Sequence, residues 1–226
     1  MVKRYERNMA TLSLAENENL QTFKVCVVGC GGLGGYLIEM LGRLGIGSIT
    51  AVDGDHFDET NLNRQLLSDV ASLGVPKAAK AQERMKLVNP FINVNPILQR
   101  LTPENGREIL QGHHLVMDAL DNIPSRMTVQ AVAEELNIPM IHGAIAGWYG
   151  QITTILPGDR TLSHIYPVDS VKGIEQTLGN PSFTPALVAS IQVSEGLKVL
   201  IGRGELLRRK ILYLNLLDNE YEVINL

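Results

Sequence analysis

The stretch between residues 25 and 53 constrains this chain more than any other. It opens on the apolar run Val25-Cys26-Val27-Val28, followed by Gly29-Cys30-Gly31-Gly32-Leu33-Gly34-Gly35. Leu33, Tyr36 and Leu37, Met40 and Leu41, and Leu44 then recur at three- and four-residue spacing, which marks one buried face of a helix. After Gly45-Ile46-Gly47 a second short run, 48–52, ends on Asp53. The order is strand, glycine turn, helix, strand, acid. Glycines let the backbone turn sharply and approach a ligand closely, and the free N–H groups at the helix start attract phosphate. Gly29, Gly31 and Gly34 fit G-x-G-x-x-G, and Asp53 follows about 20 residues later, placed to accept hydrogen bonds from a ribose. On these residues alone the ligand is a nucleotide, with NAD, FAD and ATP all open.

A chain of 226 residues is long enough to bury a core without disulfide or metal, and it reads as a single domain spanning 1–226. Its 20 basic and 24 acidic residues leave a net charge of −4, which argues against nucleic acid or an anionic membrane as the main partner. No apolar run approaches the ~20 residues of a membrane span. The amino end, Met1-Val2-Lys3-Arg4-Tyr5-Glu6-Arg7-Asn8, has no apolar signal core, so the expected location is cytoplasmic. Of the two cysteines, Cys26 reads as a small core hydrophobe. Cys30 lies in the turn, where helix N–H groups would lower its pKa if it were reactive; tolerance of the turn geometry is the favoured reading.

The remainder reads as further βα units. Residues 1–22 form a polar arm with a short helix expected over 9–14, and Arg4 and Arg7 facing solvent. The segment 54–65 is polar, irregular and carries both acids and Arg64 close to the nucleotide turn, where a dehydrogenase would run on into its next helix. Pro76 starts a helix that buries Ala78, Ala81, Met85 and Val88. Lys77 in its first turn opposes the helix dipole, a placement that makes sense if an anion sits there. A third strand is expected over 93–98, and a short helix from Thr102-Pro103 to about 110. The run 115–117 leads into Asp118-Ala119-Leu120-Asp121-Asn122, carboxylates at the carboxyl end of a fourth strand. Asp118 or Asp121 is placed there to reach a metal or phosphate, and Asp121 and Asn122 equally to cap the helix over 124–136. Strands follow over 139–141 and 151–156. Between them the small residues of 143–150 suit close packing or a groove for an extended peptide, and His142 reads as a hydrogen-bonded structural histidine. The loop 157–184 is long enough to be functional or mobile. A helix from Thr184-Pro185 to Gly202 and a hairpin of strands 211–216 and 221–224 close the chain. The expected architecture is α/β, a doubly wound, Rossmann-like, mainly parallel sheet with an antiparallel C-terminal portion.

Five elements in order name a family: the glycine turn with Gly29, Gly31, Gly32 and Gly34; Asp53-x-Asp55; Asn61-x-x-Arg64-Gln65; Gly74-x-Pro76-Lys77; and Asp118-Ala119-Leu120-Asp121-Asn122. Together they resemble the ThiF/MoeB/HesA adenylyltransferases, bacterial relatives of the ubiquitin-activating enzymes, and Arg4-Tyr5-Glu6-Arg7 is similar to that family's amino-terminal R-Y-x-R. The resemblance implies binding of ATP and Mg²⁺ and adenylation of the C-terminal Gly-Gly carboxylate of a ubiquitin-like carrier protein, with release of pyrophosphate. It implies that Gly32 packs against ATP and Asp53 holds the ribose. Asn61, Arg64 and Gln65 would line the phosphates, Lys77 would grip them, and Asp121 would place Mg²⁺ with Asn122 adjoining. It also implies a homodimer in which Arg7 reaches the neighbouring subunit's phosphates.

Two departures from the family qualify this. Many relatives carry two Cys-x-x-Cys pairs for zinc; 159–166 and 202–226 contain no cysteine, so no zinc site is expected. Some relatives use a crossover-loop cysteine as a covalent carrier; 157–185 has none, so adenylation without a covalent step is expected. Two other functions compete: a dinucleotide-dependent oxidoreductase resting on the glycine turn and Asp53, and a non-catalytic subunit of an activating complex.

Overall fold

The computed structural model describes residues 3–166 and 175–226. A 3-10 turn, Lys3–Asn8, and the short helix α1, Leu14–Asn19, lead into β1, Lys24–Val28. Next come α2, Gly32–Leu44, β2, Ser48–Val52, α3, Lys77–Val88, and β3, Asn93–Ile97. The helix α4, Gly106–Leu110, precedes β4, Leu115–Asp118, and α5, Ile123–Glu135, precedes β5, Met140–Ala146, and β6, Tyr149–Ile155. The chain crosses through α6, Leu162–Ile165, and α7, Glu175–Leu178, to α8, Phe183–Ile201, and closes with β7, Lys210–Asn215, and β8, Glu220–Asn225. These strands form one sheet in the order β3-β2-β1-β4-β5-β6-β7-β8. From β3 to β5 neighbours run parallel; from β5 onward they pair antiparallel. The expected doubly wound sheet with its antiparallel end is what forms.

Strand alternation divides the core. In β1, Val25 and Val27 point to one face, packed with Leu37, Ile38 and Leu41 of α2, Met85 of α3 and Val188 of α8. Cys26 and Val28 point to the other, among Leu110, Val116, Val129 and Val132. Both faces of the central strands are therefore dry, which explains why their sequences read as unbroken apolar runs. Each fully buried Leu or Ile contributes about 1.5–3 kcal/mol over an exposed one.

Several local expectations change. No helix covers 9–14: Ala10 takes φ +74°, and α1 starts only at Leu14. Ser13 and Glu16 cap it reciprocally, a Ser-x-x-Glu signature already present in the sequence. Arg4 stays exposed but is no free surface charge. It donates to the Val88 carbonyl at 3.0 Å and Asn89 Oδ1 at 2.8 Å, with its guanidinium 4.8 Å from the centre of the Phe91 ring. Next to it Tyr5 is buried and accepts from Asn89 Nδ2 at 2.7 Å, which pins the arm to the end of α3. The helix expected from Thr102 begins only at Gly106, because Thr102 and Asn105 first bond each other's backbone N–H in a turn.

The small residues after His142 resolve into packing. They belong to β5, the turn after it and the start of β6, over which α8 lies. A Cβ on Gly143 would stand 2.4 Å from Gln192 Cδ, and one on Gly150 2.4 Å from Val188 Cγ2. That leaves no peptide groove at these two positions. The loop 157–184 carries α6 and α7; of it, 167–174 lie outside the described residues. No helix of the described residues is long and apolar enough to cross a membrane.

A Cβ on Gly34 would lie 1.8 Å from the Gly29 carbonyl oxygen, a backbone atom that no rotamer change moves aside. Gly34→Ala should destabilise the fold by about 1–3 kcal/mol, the usual cost of overpacking, read as a lower urea midpoint. Stability unchanged from wild type would show that the turn is looser than described.

Candidate active site

The sheet order reverses between β2 and β4 on either side of β1, and a cleft of about 540 Å³ opens at the carboxyl ends of these strands. That is where open α/β sheets bind ligands, and the volume lies in the range of small-molecule sites. The floor is the glycine turn. Gly29 takes φ +97° with its Cα tight against the Ala119 carbonyl, where a Cβ would come within 2.6 Å of the oxygen. Gly31 caps α2 without any side-chain hydrogen bond, so the N–H groups of the first turn stay open to an anion.

Ten of the residues singled out from sequence line this cleft: Gly29, Gly31, Gly32, Asp53, Asp55, Arg64, Gln65, Lys77, Asp121 and Asn122. Asp53 follows directly after β2, beside the turn; Oδ2 accepts from Cys30 N–H at 2.7 Å and Oδ1 from Asp55 N–H at 2.8 Å. Burial pushes its carboxyl above the ordinary value while these two N–H groups pull it back. Each oxygen keeps a further lone pair for a donor such as a ribose hydroxyl. Lys77, the first residue of α3, is buried with Nζ 3.9 Å from Asp55 Oδ2. Asp55 also accepts from Arg100 at 2.9 Å, and that bond, outweighing burial, holds its carboxyl below the usual range.

Arg64 and Gln65 are presented by a tight turn. The Asn61 carbonyl accepts both their N–H groups, at 3.1 and 2.9 Å, and the Asn61 side chain bonds Asp58. Asn61 is therefore buried beneath the pair and does not line the cleft itself. Arg64 Nη1 is oriented by the Thr60 carbonyl and Asn63 Oδ1, both at 2.9 Å. The Gln65 side chain lies against Gly31, and its Oε1 is buried with no protein partner. On the facing wall Asp121 is exposed and accepts from Asn122 Nδ2 at 3.3 Å. Asn122 Oδ1 caps α5 through Ser125 N–H at 2.9 Å, so the capping alternative holds for that residue. Gly34 serves the packing below the turn, and Arg7, exposed in the amino arm, does not line its own chain's cleft.

Two alternatives close. Asp118 is fully buried, accepting from Leu120 N–H at 3.0 Å and paired with His142 Nδ1 at 2.6 Å, so it faces away from any metal or phosphate. His142 is accordingly the hydrogen-bonded structural histidine expected. Cys30 is buried, and desolvation raises its thiol pKa, with Asp53 adding to the rise, so the reactive reading fails; Cys26 is likewise a buried core residue with a raised pKa.

Sequence reasoning passed over Arg100, Arg126, Ile145 and Asn180, all of which line the cleft. Arg126 reaches back to the Leu120 carbonyl at 2.8 Å and donates to the Tyr166 hydroxyl at 3.0 Å. Arg100 follows β3, and the β2–β3 pairing that brings it beside Asp55 was the one available signal.

The ThiF family model matches residues 5–226. Over 229 residues the chain is 34% identical to the sulfur carrier protein adenylyltransferase of Thermus thermophilus, covering 96% of this chain and 84% of that protein. It is 33% identical to the SAMP-activating enzyme E1 of Haloferax volcanii over 91% of this chain and 77% of that protein. Among solved structures, E. coli MccB with MccA-N7isoASN superposes with a TM-score of 0.85 at 20% identity, covering 99% of this chain and 71% of that one, which shows the shared fold. The chain belongs to the ThiF family and is an ATP-dependent adenylyltransferase; relatives it matches carry the name adenylyltransferase. The oxidoreductase and non-catalytic readings give way to that assignment.

Burial holds His142 below the ordinary histidine pKa, against the opposing pull of Asp118. The unfolded chain then binds more protons than the folded one as pH falls through about 6.5, so stability drops in that window. His142→Asn, which keeps a donor but cannot titrate, should flatten the fall of the urea midpoint between pH 7 and pH 5. An unchanged slope would mean that other groups carry it.

Proposed function

We propose that this chain, folded as one adenylation domain and working in the cytoplasm as a homodimer, uses Mg-ATP to adenylate the C-terminal Gly-Gly carboxylate of a ubiquitin-like sulfur-carrier protein. A carboxylate oxygen attacks the α-phosphorus, the α–β bridging bond breaks, and pyrophosphate departs with the electron pair. The attacking acid is already ionised near neutral pH, so no protein base is needed. The difficulty is electrostatic, because two anions must meet, and the remedy is fixed positive charge where negative charge spreads.

The observation that carries this reading is convergence. Arg64, Gln65 and Lys77 come from two separate segments and meet at one cleft with the open start of α2, opposite Asp121. In this reading Asp53 holds the ribose, and Gly29, Gly31 and Gly32 let the phosphates approach the backbone. Arg64, Gln65 and Lys77 bind the phosphates, Asn61 shapes the turn that presents two of them, and Asp55 orients Lys77. Arg7 reaches the neighbouring subunit's phosphates. Asp121, exposed on the cleft wall with Asn122 adjoining, would hold Mg²⁺. The ion would neutralise phosphate charge. Both cysteines of the chain are buried, so the acyl-adenylate passes to another protein without a covalent enzyme intermediate.

ATP–pyrophosphate exchange driven by a Gly-Gly carrier tests this. Arg64→Ala and Lys77→Ala should each lower exchange by about a hundredfold or more, the scale of losing one oriented charge donor. Normal exchange in both variants would defeat the mechanism. Cys30→Ala should retain exchange, and a thioester between carrier and wild-type enzyme would contradict the absence of a covalent step.

A further inference from the structure

Behind the wall that carries Asp121 the hydrogen bonds close on themselves. Leu120 N–H donates to Asp118 Oδ1 at 3.0 Å, and Asp118 Oδ2 pairs with His142 Nδ1 at 2.6 Å. His142 Nε2 stands 3.1 Å from the Tyr166 hydroxyl, and Arg126 Nη1 donates to that hydroxyl at 3.0 Å. Arg126 Nη2 and Nε both donate to the Leu120 carbonyl, at 2.8 and 3.2 Å, which returns the circuit to its start. Asp118, Arg126 and His142 are buried. A neutral His142 carries its proton on Nδ1 toward Asp118 and accepts the Tyr166 O–H on Nε2. The hydroxyl oxygen then accepts from Arg126 and from Gln151 Nε2, the latter at 2.9 Å.

What the circuit holds is a stretch of backbone. The Leu120 carbonyl belongs to the peptide bond that joins Leu120 to Asp121, and the Leu120 N–H to the one before it. Both peptide planes flanking Leu120 are therefore set by buried side chains. Asp121 is exposed on the cleft wall and departs from the second of these planes. Tyr166 brings the crossover into the circuit, directly after α6. That helix is itself anchored: Leu162 is buried, and its N–H donates to Gln130 Oε1 at 2.8 Å.

Removing the Tyr166 hydroxyl takes this partner from a buried guanidinium and from His142 Nε2, a cost that a shift of Arg126 relieves. Such a shift carries the Leu120–Asp121 peptide with it, and displacements of ~1 Å are enough to weaken a site. Resting on the function proposed above, we propose that Tyr166 is a positioning residue of the adenylation site: through Arg126 it sets the peptide from which Asp121 reaches Mg²⁺. The crossover thereby takes part in building the metal's place.

Calorimetry with ATP, once in excess Mg²⁺ and once in EDTA, tests this with no acceptor present and so without turnover. The wild-type chain should bind ATP more tightly with Mg²⁺ than in EDTA. Tyr166→Phe, which keeps the ring, should lose about threefold or more of that gain, within the scale of one hydrogen bond. In EDTA it should bind ATP as the wild type does, and that arm also reads whether the variant folds. A gain from Mg²⁺ equal to that of the wild type overturns the inference and leaves the adenylation reading standing. An equal loss in both arms shows that Tyr166 supports the fold or the nucleotide site at large, and also overturns it. A wild-type chain that gains nothing from Mg²⁺ overturns the role given to Asp121 and this inference with it.

Discussion

Where the first strand, the second helix and the fourth strand converge, no side chain separates them. Gly34 rests against the Gly29 carbonyl, and Gly29 against that of Ala119, each too near for a Cβ. That contact fixes the start of α2 at the mouth of the sheet with its N–H groups uncovered, and it aligns the ends of β1, β2 and β4 through the pairing of Val28 with Val52 and with Asp118. Asp53 then bonds the Cys30 N–H and locks the turn from the other side. A nucleotide site follows from this packing before any charged residue is considered.

Charge is added around that frame by segments that are themselves tightly held. Asn61 and Asp58 shape the turn that carries Arg64, and Asp55 receives both Lys77 and Arg100. Lys77 has an unfavourable place at a helix N-terminus and is buried there, and the carboxylate of Asp55 3.9 Å away is the compensation visible in the fold. Preorganised cations need little rearrangement as charge develops, which is the condition for stabilising a phosphoryl-transfer transition state. The Asp118–His142 pair belongs to the framework behind the site, tying β4 to β5 in the dry interior.

Much of this was legible in the sequence because it is local. The glycine turn, the period of α2, Asp53 and the Pro76-Lys77 start of α3 each follow from short-range pattern. So did the five-part resemblance, since it is a matter of order and spacing. What escaped depends on contacts far apart in the chain. Arg100 joins the cleft only through the β2–β3 register, and Asn180 only because the crossover returns α8 across β5 and β6. Asp118 and Asp121 share one motif and one charge, yet the first is the last residue of a strand and faces inward while the second lies beyond it in the open. Sequence spacing alone left them equivalent. The Ser13-x-x-Glu16 cap was present in the sequence and went unread, which misplaced the first helix.

The central claim is that an acceptor carboxylate oxygen displaces pyrophosphate from the α-phosphorus in this cleft, and isotope transfer measures it directly. A carrier labelled with ¹⁸O in its terminal carboxylate is incubated with the enzyme and ATP, the acyl group is passed to a thiol, and the AMP is analysed by mass spectrometry. The account predicts AMP carrying one labelled oxygen from the carrier. AMP formed with no label would contradict it.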